Sequence, residues 1–130
     1  MKILVGYDGS NVSKAAIALA TEHAKAFKAE IIIAHSIVGG PEVPRKDFEN
    51  AEKNLEYEKN RRLDKKIPCE SILSVRGMEA GEDLVRLAEE NKVEEIIIGV
   101  RRRSKVGKLL FGSTAQYVIL NGSCPVVSVK

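Results

Sequence analysis

Five short apolar runs, rich in β-branched residues, recur along the chain and restrict its fold more than any other feature. Most of them are continuous apolar stretches rather than alternations of apolar and polar residues. Continuous stretches of this length are typical of strands that a parallel sheet buries on both faces. We therefore predict five strands of one parallel sheet, at 3–5, 31–34, 72–75, 96–98 and 126–129.

Helical patterns separate these runs. In the first, residues recur at intervals of three and four and so share one helix face. They are Val12, Ala16, Leu19, His23 and Phe27. The second pattern, from Asp47 to Lys66, is strongly charged and carries only a thin apolar stripe of Phe48, Leu55 and Leu63. We expect a helix at each pattern.

Two further helices complete the alternation. The third follows Gly77 and is expected to turn four apolar residues inward, namely Ala80, Leu84, Leu87 and Ala88. In the fourth, Ser113 and Gln116 form a capping-box pattern, and Asn121-Gly122 is a stop signal. Strands that alternate with helices through right-handed crossovers predict an α/β fold, a five-stranded doubly wound parallel sheet with four helices, of the Rossmann-like kind.

The composition indicates one domain. A chain of 130 residues that is 44% hydrophobic can bury one continuous core, so we assign residues 1–130 to a single unit. Its 21 basic and 18 acidic residues leave a formal charge of +3, a mixed surface that does not favour nucleic acid or a membrane. No signal-peptide pattern follows Met1, and no apolar run approaches the roughly 20 residues that span a bilayer. We expect a cytoplasmic protein, with Cys69 and Cys124 as packing residues.

In doubly wound sheets, ligands bind beyond the carboxyl ends of the strands, where the winding direction reverses. The candidate segments are therefore the turns after the first, second and fourth strands, at 6–10, 35–37 and 99–114. The last carries five basic residues and ends at a helix start, where Gly112 and free amides favour an anion such as phosphate. Equally open is a structural interpretation, in which Ser113 is only a helix cap and the basic run a solvated surface.

Asp8 is the second candidate. It ends a buried strand and precedes Gly9-Ser10, so its carboxylate is placed to accept hydrogen bonds from a base or a ribose, or to help hold a metal ion. The alternative is a local role in an Asx turn or helix cap. The residues alone leave both open.

Several familiar chemistries are excluded. A Walker A loop that ends at Gly107-Lys108 needs glycine at 102 and a hydroxyl residue at 109, but Arg102 and Leu109 occupy those positions. The dinucleotide GxGxxG pattern after the first strand and the GxSxG nucleophile pattern are both missing. We therefore assign no catalytic residue and no metal ligand.

Several of these segments together resemble the universal stress protein family: Lys2 to Ser10, the strand that ends at His35-Ser36, Gly99 to Ser113, and Cys124 to Val127. The resemblance covers essentially the whole chain and implies an adenine nucleotide α-hydrolase-like fold. Nucleotide-binding members carry Gly, two residues, Gly, nine residues, then Gly-Ser or Gly-Thr. Here Gly99 and Gly112-Ser113 match, but Arg102 replaces the second glycine. The guanidinium of Arg102 either reaches a phosphate or fills the pocket.

The same resemblance implies a site for ATP or AMP, with Mg²⁺ as a potential companion ion. Asp8 would meet the adenine or ribose, backbone groups around Ser36 and Ile37 would contact the base, and Gly99 would border the ribose. Phosphates would lie at the start of the fourth helix. Two arginines, Arg101 and Arg102, are added to the candidates because of their positive charge. The candidate residues are Tyr7, Asp8, Ser36, Ile37, Gly99, Arg101, Arg102, Gly112, Ser113 and Thr114.

The resemblance also implies a homodimer joined along the last strand, Val126 to Val129, which would cover an exposed apolar edge. The favoured function is a regulatory module of the stress response, with slow ATP hydrolysis at most and an unknown protein partner. One alternative is a nucleotide-free interaction module with Arg102 in the pocket. Another is a nucleic-acid binder that uses 101–108, which a steep salt dependence would reveal.

Overall fold

The computed structural model describes residues 1–100 and 112–130. Its strands are β1 (Lys2–Gly6), β2 (Glu30–Ser36), β3 (Cys69–Ser74), β4 (Glu95–Gly99) and β5 (Val126–Val129). They alternate with helices α1 (Asn11–Phe27), α2 (Arg45–Asp64), α3 (Ala80–Glu90) and α4 (Ser113–Asn121). This is the predicted sequence of elements. Within the described ranges, no helix is both long and apolar enough to cross a membrane.

All strand pairs are parallel, and the strand order is β3-β2-β1-β4-β5. The chain builds outward from β1 through β2 to β3, and then returns to the other side of β1 for β4 and β5. The winding direction therefore reverses between β1 and β4, whose carboxyl ends form the topological switch point. The predicted doubly wound sheet is confirmed.

Each face of the sheet has its own apolar core. Ile3 and Val5 of β1 pack with residues of α1 and α2 on one face, whereas Leu4 packs with residues of α3 and α4 on the other. Successive side chains of a strand point to opposite faces, so a sheet covered on both faces needs apolar residues at every position. This requirement explains the continuous apolar runs of the sequence.

The predicted inner face of α1 is wrong by about one residue. Of the expected stripe only Ala16 is buried, and Phe27 is 57% exposed. The residues that α1 buries are mostly small, namely Ser13, Ala16, Ile17, Ala20, Thr21 and Ala24. Small side chains bring the helix close to the sheet, which places the larger Leu19 and Phe27 towards the rim.

α2 also differs from its predicted stripe. Leu55 is buried as expected, but Leu63 is 44% exposed. The inward positions instead hold Glu58 and Arg62, whose side chains are 9% and 5% exposed and whose Oε2 and Nη2 atoms lie 3.5 Å apart. Within the described residues, Nε of Arg62 has no hydrogen-bond partner. A charged pair thus occupies inward positions of α2 that the expected apolar stripe does not include.

Two further boundaries shift. β3 begins at Cys69 and ends at Ser74, so Val75 lies outside the strand and is 44% exposed. The predicted capping box is wrong, because Ser113 is the first residue of α4 and Gly112 is its N-cap. The stop signal is confirmed, since α4 ends at Asn121 and Gly122 is its C-cap.

The pair in α2 makes a testable prediction. Arg62→Met should lower the free energy of unfolding by about 3 kcal/mol, because it leaves the Glu58 carboxylate buried without its partner. The double variant Glu58→Leu/Arg62→Met should recover most of that loss, since it removes both charges from the interior. Urea denaturation followed by circular dichroism measures both.

Arg45→Ala is the matched control. Arg45 and Glu49 form an i,i+4 pair in the same helix, but the Arg45 side chain is 92% exposed, so its loss should leave the urea midpoint unchanged. An Arg62→Met variant as stable as the control would contradict the importance of burial for this pair.

Candidate functional site

A cavity of about 100 Å³ lies at the carboxyl ends of β1, β2 and β4. It coincides with the switch point of the sheet. The residues that line it come from three strand ends, the β1–α1 turn and the starts of three helices: Gly6, Tyr7, Asp8, Ser10, Val12, Ser13, Ala34, His35, Ser36, Ala80, Leu84, Ile98, Gly99 and Thr114. Segments far apart in sequence thus converge where the topology rule places a ligand.

The cavity has an apolar floor and a polar rim. Ala34, Leu84 and Ile98 form part of the floor and belong to the core between the sheet and α3 and α4. Gly6 keeps this floor open, because a Cβ there would lie 2.6 Å from Cδ1 of Ile98 and 3.0 Å from Cδ1 of Leu84. Such a slot suits a flat, weakly polar ring with hydrogen-bonding groups along its edge.

The β1–α1 turn positions Asp8. Gly9 adopts a φ of +83°, a left-handed conformation that favours glycine. Oδ1 of Asp8 accepts a hydrogen bond from the Ser10 amide at 2.9 Å. This bond forms the Asx turn that the sequence analysis gave as the alternative role of Asp8. Ser10 caps α1 by accepting from the Ser13 amide. The turn therefore holds the Asp8 carboxylate at the rim.

Tyr7 and His35 contribute neutral groups beside this carboxylate. Their rings meet edge to face with centroids 6.3 Å apart. Burial, supported by the charges of Glu58 and Asp8, raises the pKa of Tyr7 above its usual value. Burial lowers the pKa of His35, although the Asp8 charge opposes that shift. At neutral pH the pair therefore adds an uncharged phenol and imidazole to the described part of the rim, where Asp8 supplies a negative charge.

A buried ionic network stands behind Ser36. Asp83 of α3 is 0% exposed, and its Oδ2 accepts from Oγ of Ser36 at 2.5 Å. Its Oδ1 accepts from Nε and Nη2 of Arg76 at 2.9 and 2.6 Å. Nη1 of Arg76 also bonds both carboxylate oxygens of Glu90 at 2.9 Å. Burial alone would raise the pKa of Asp83, but hydrogen bonds from Ser36, Ser74 and Arg76 outweigh it and lower the pKa.

The structure brings half of the predicted residues to the cavity, namely Tyr7, Asp8, Ser36, Gly99 and Thr114. Ile37 does not line it, and its amide bonds the Ser74 carbonyl at 2.9 Å, which commits that donor to the sheet. Ser113 lies instead in a neighbouring groove between α3 and α4, which shares Ala80 and Thr114 with the cavity. Arg101 and Arg102 lie outside the described residues.

The two matching glycines of the motif have different surroundings. A Cβ at Gly99 would lie 2.8 Å from the backbone carbon and oxygen of Val12, so this glycine admits the first turn of α1. A Cβ at Gly112 would meet no described atom within 4 Å, and its φ of −62° and ψ of 156° suit any residue. Gly99 is thus required for packing, whereas nothing in the described fold requires glycine at 112.

Sequence reasoning missed Asp83. It lies between inward-facing residues of α3, and a single carboxylate on an otherwise apolar helix stripe was the available signal. The cavity floor was also missed, because Ala34, Leu84 and Ile98 fit ordinary core positions equally well.

The comparisons with known proteins agree with this fold. The family model described as Universal stress protein family matches residues 1–130. This chain belongs to the universal stress protein family. A universal stress protein of Thermus aquaticus is 31% identical, covering 98% of this chain and 97% of its own length. The fold assignment thus rests on sequence as well as on topology.

Solved universal stress protein structures superpose over the whole chain. One from Archaeoglobus fulgidus has a TM-score of 0.90 and 34% identity and covers 100% of this chain and 98% of its own. A second from Archaeoglobus fulgidus, in complex with dAMP, has a TM-score of 0.84 and 30% identity with the same coverage. The Rossmann-like α/β fold of this universal stress protein domain is therefore confirmed.

The two glycines make the second prediction. Gly99→Ala should lower the free energy of unfolding by about 1–3 kcal/mol, because the added methyl group meets helix backbone rather than a side chain that can move away. Gly112→Ala, with open space at its Cβ, should unfold at the wild-type midpoint. Urea denaturation without nucleotide measures both. Equal stability of the two variants would refute the packing role of Gly99.

Proposed function

We propose that this domain binds an adenine nucleotide, ATP or AMP, in the cavity at the strand ends and acts as a regulatory module of the stress response in the cytoplasm. The observation that carries the proposal is the apolar slot with a polar rim at the switch point, lined by Asp8, Ser36 and Gly99. The dAMP complex of the Archaeoglobus fulgidus relative supports it. Because no catalytic residue is assigned, hydrolysis is slow at most.

The phosphates are proposed to lie at the start of α4. Thr114, in the first turn of this helix, borders the cavity, and no side chain of the described residues caps the preceding amides. Free amides and the helix dipole favour a negative charge at that end. Ser113 would add a hydroxyl, and Arg101 and Arg102 would add charge from the adjoining segment.

Magnesium fits this arrangement as a companion of the triphosphate. Within the described residues, no group of three His, Cys, Asp or Glu side chains converges on one point. Mg²⁺ commonly binds through substrate phosphates with only one or two carboxylates. Asp8 is the carboxylate among the described residues that line the cavity.

The first experiment is to denature the purified protein and identify released nucleotide by ion-exchange chromatography, with calorimetric titration of ATP and AMP in magnesium. A micromolar dissociation constant, about −8 kcal/mol, would support the proposal. Absence of nucleotide, of binding heat and of any shift in melting temperature would reject it and favour the nucleotide-free interaction module.

Variants at the rim make the third prediction. Asp8→Ala should weaken AMP binding about tenfold through loss of a hydrogen-bonded carboxylate. Gly112→Val should abolish binding, because its side chain would occupy the space that the backbone leaves for phosphate. Calorimetry measures both affinities.

Controls separate contact from folding. Asp8→Asn keeps an oxygen that can accept from the Ser10 amide, so it preserves the turn while removing the charge. Gly112→Val adds a side chain where no described atom lies within 4 Å, so its unfolding midpoint should match wild type. Wild-type affinity in both Asp8→Ala and Gly112→Val would show that the proposed site is wrong.

We also propose a homodimer joined along β5, with a protein partner as the target of regulation. β5 is an edge strand of the sheet, and Val126, Val127 and Val129 are only half-buried. The carbonyl of Pro125 accepts from the amide of Ile96 in β4, and that of Val129 accepts from the amide of Val100, which follows β4. Since alternate residues direct their backbone groups to opposite sides, those of Val126 and Ser128 face away from β4 and are placed to pair with a second copy.

Ser128→Pro is the fourth prediction. It removes an outward amide without touching the hydrogen bonds to β4, and proline is tolerated in edge strands. Sedimentation should therefore show conversion of dimer to monomer with an unchanged circular dichroism spectrum. Ser128→Ala keeps the amide and should remain dimeric. A proline variant that stays dimeric would rule out pairing through this edge.

A further inference from the structure

Asp83 fixes the direction of a hydrogen bond at the cavity wall. Ser36 lines the cavity, and its Oγ lies 2.5 Å from Oδ2 of Asp83, a residue that is 0% exposed. The other oxygen of Asp83 accepts from Nε and Nη2 of Arg76. Every partner of this carboxylate described here is therefore a donor, and together they hold it in its ionised form.

An ionised carboxylate accepts hydrogen bonds and has no proton to give. The lowered pKa of Asp83 keeps it ionised at neutral pH. The proton between the two oxygens therefore belongs to Ser36. A serine hydroxyl carries one proton and two lone pairs, so Ser36 keeps only acceptor capacity for a ligand.

The position of Ser36 determines which part of a nucleotide it meets. Ala34 and Ser36 lie on the same face of β2, because side chains alternate along a strand. Ala34, Leu84 and Ile98 form part of the apolar floor, and Ser36 lines the same cavity, where the polar edge of a base on this floor would meet it.

We propose that Asp83 makes Ser36 an obligate hydrogen-bond acceptor, so that the cavity selects a purine with an amino group at position six over one with a carbonyl oxygen. An amino group donates to Ser36, whereas a carbonyl oxygen would place two acceptors against each other. Asp83 is a positioning residue, since it acts through Ser36. This inference rests on the proposed nucleotide site and adds the basis of its selectivity.

The fifth prediction compares AMP with inosine monophosphate, which carries oxygen in place of the amino group. Wild-type protein should bind AMP at least about tenfold more tightly, because the unmatched acceptors lose a hydrogen bond and leave buried polar atoms unsatisfied. Purine riboside monophosphate lacks the amino group but keeps the unprotonated ring nitrogen of AMP. It should also bind more weakly than AMP, which attributes the preference to the amino group.

Asp83→Asn tests the polarity directly. The substitution keeps the shape, and its oxygen can stay with Arg76 while its amide nitrogen faces Ser36 and donates to it. Ser36 then has a proton free for the ligand, so the AMP to inosine monophosphate affinity ratio should fall towards one, with tighter binding of inosine monophosphate. Arg76 keeps its two bonds to Glu90, which supports folding of the variant.

Three further variants complete the test. Ser36→Ala should lower the ratio from the cavity side, because it removes the hydroxyl oxygen that accepts from the amino group. Ser36→Thr keeps the hydroxyl and should preserve the wild-type ratio. Glu90→Gln weakens the hydrogen bonds between Glu90 and Arg76 but leaves Asp83 ionised. It should therefore also preserve the AMP to inosine monophosphate affinity ratio. A ratio of affinities is insensitive to a uniform loss of folded protein, so a purely structural role of Asp83 would not change it.

The outcomes separate two failures. If wild-type protein binds none of the three nucleotides, the proposed function fails and this inference fails with it. If wild-type protein binds AMP and inosine monophosphate equally, or if Asp83→Asn retains the full preference, the nucleotide site stands and the acceptor role of Ser36 is rejected.

Discussion

The burial of both faces of one parallel sheet governs the rest of this structure. Helices α1 and α2 cover one face and α3 and α4 the other, so strand side chains inside the sheet are committed to packing. What stays accessible is the row of strand ends and the turns that follow them. Polar chemistry collects there because only there can a polar side chain meet solvent or a ligand without disturbing a core.

The strand ends are held by two different kinds of support. Asp8 depends on local geometry, with Gly9 in a left-handed conformation and Ser10 as both turn and helix cap. Ser36 depends on tertiary geometry, through the Asp83 carboxylate of α3 that lies behind it. The rim at Asp8 therefore needs only the β1–α1 turn. The wall at Ser36 forms only once β2, β3 and α3 have assembled.

The sequence predicts the elements supported by local patterns. Continuous apolar runs and the Asn121-Gly122 stop have physical causes within a few residues, and the doubly wound architecture follows from crossover rules. The inner face of α1 cannot be predicted from such a local pattern, because an alanine-rich helix offers two similar stripes of small residues. Asp83 and Ser36 are 47 residues apart, and no local periodicity encodes their contact. Periodicity also does not predict the burial of Glu58 and Arg62, since their burial depends on how α2 packs.

Because of the network behind Ser36, the residues that give the cavity its shape differ from the residue that sets the direction of its hydrogen bonds. Asp83 is absent from the cavity lining, yet it determines which group the lining presents. Two relatives can therefore share every residue that touches a ligand and still prefer different ligands. For this chain, a comparison with another binding site has to include the carboxylate beneath the wall as well as the wall itself.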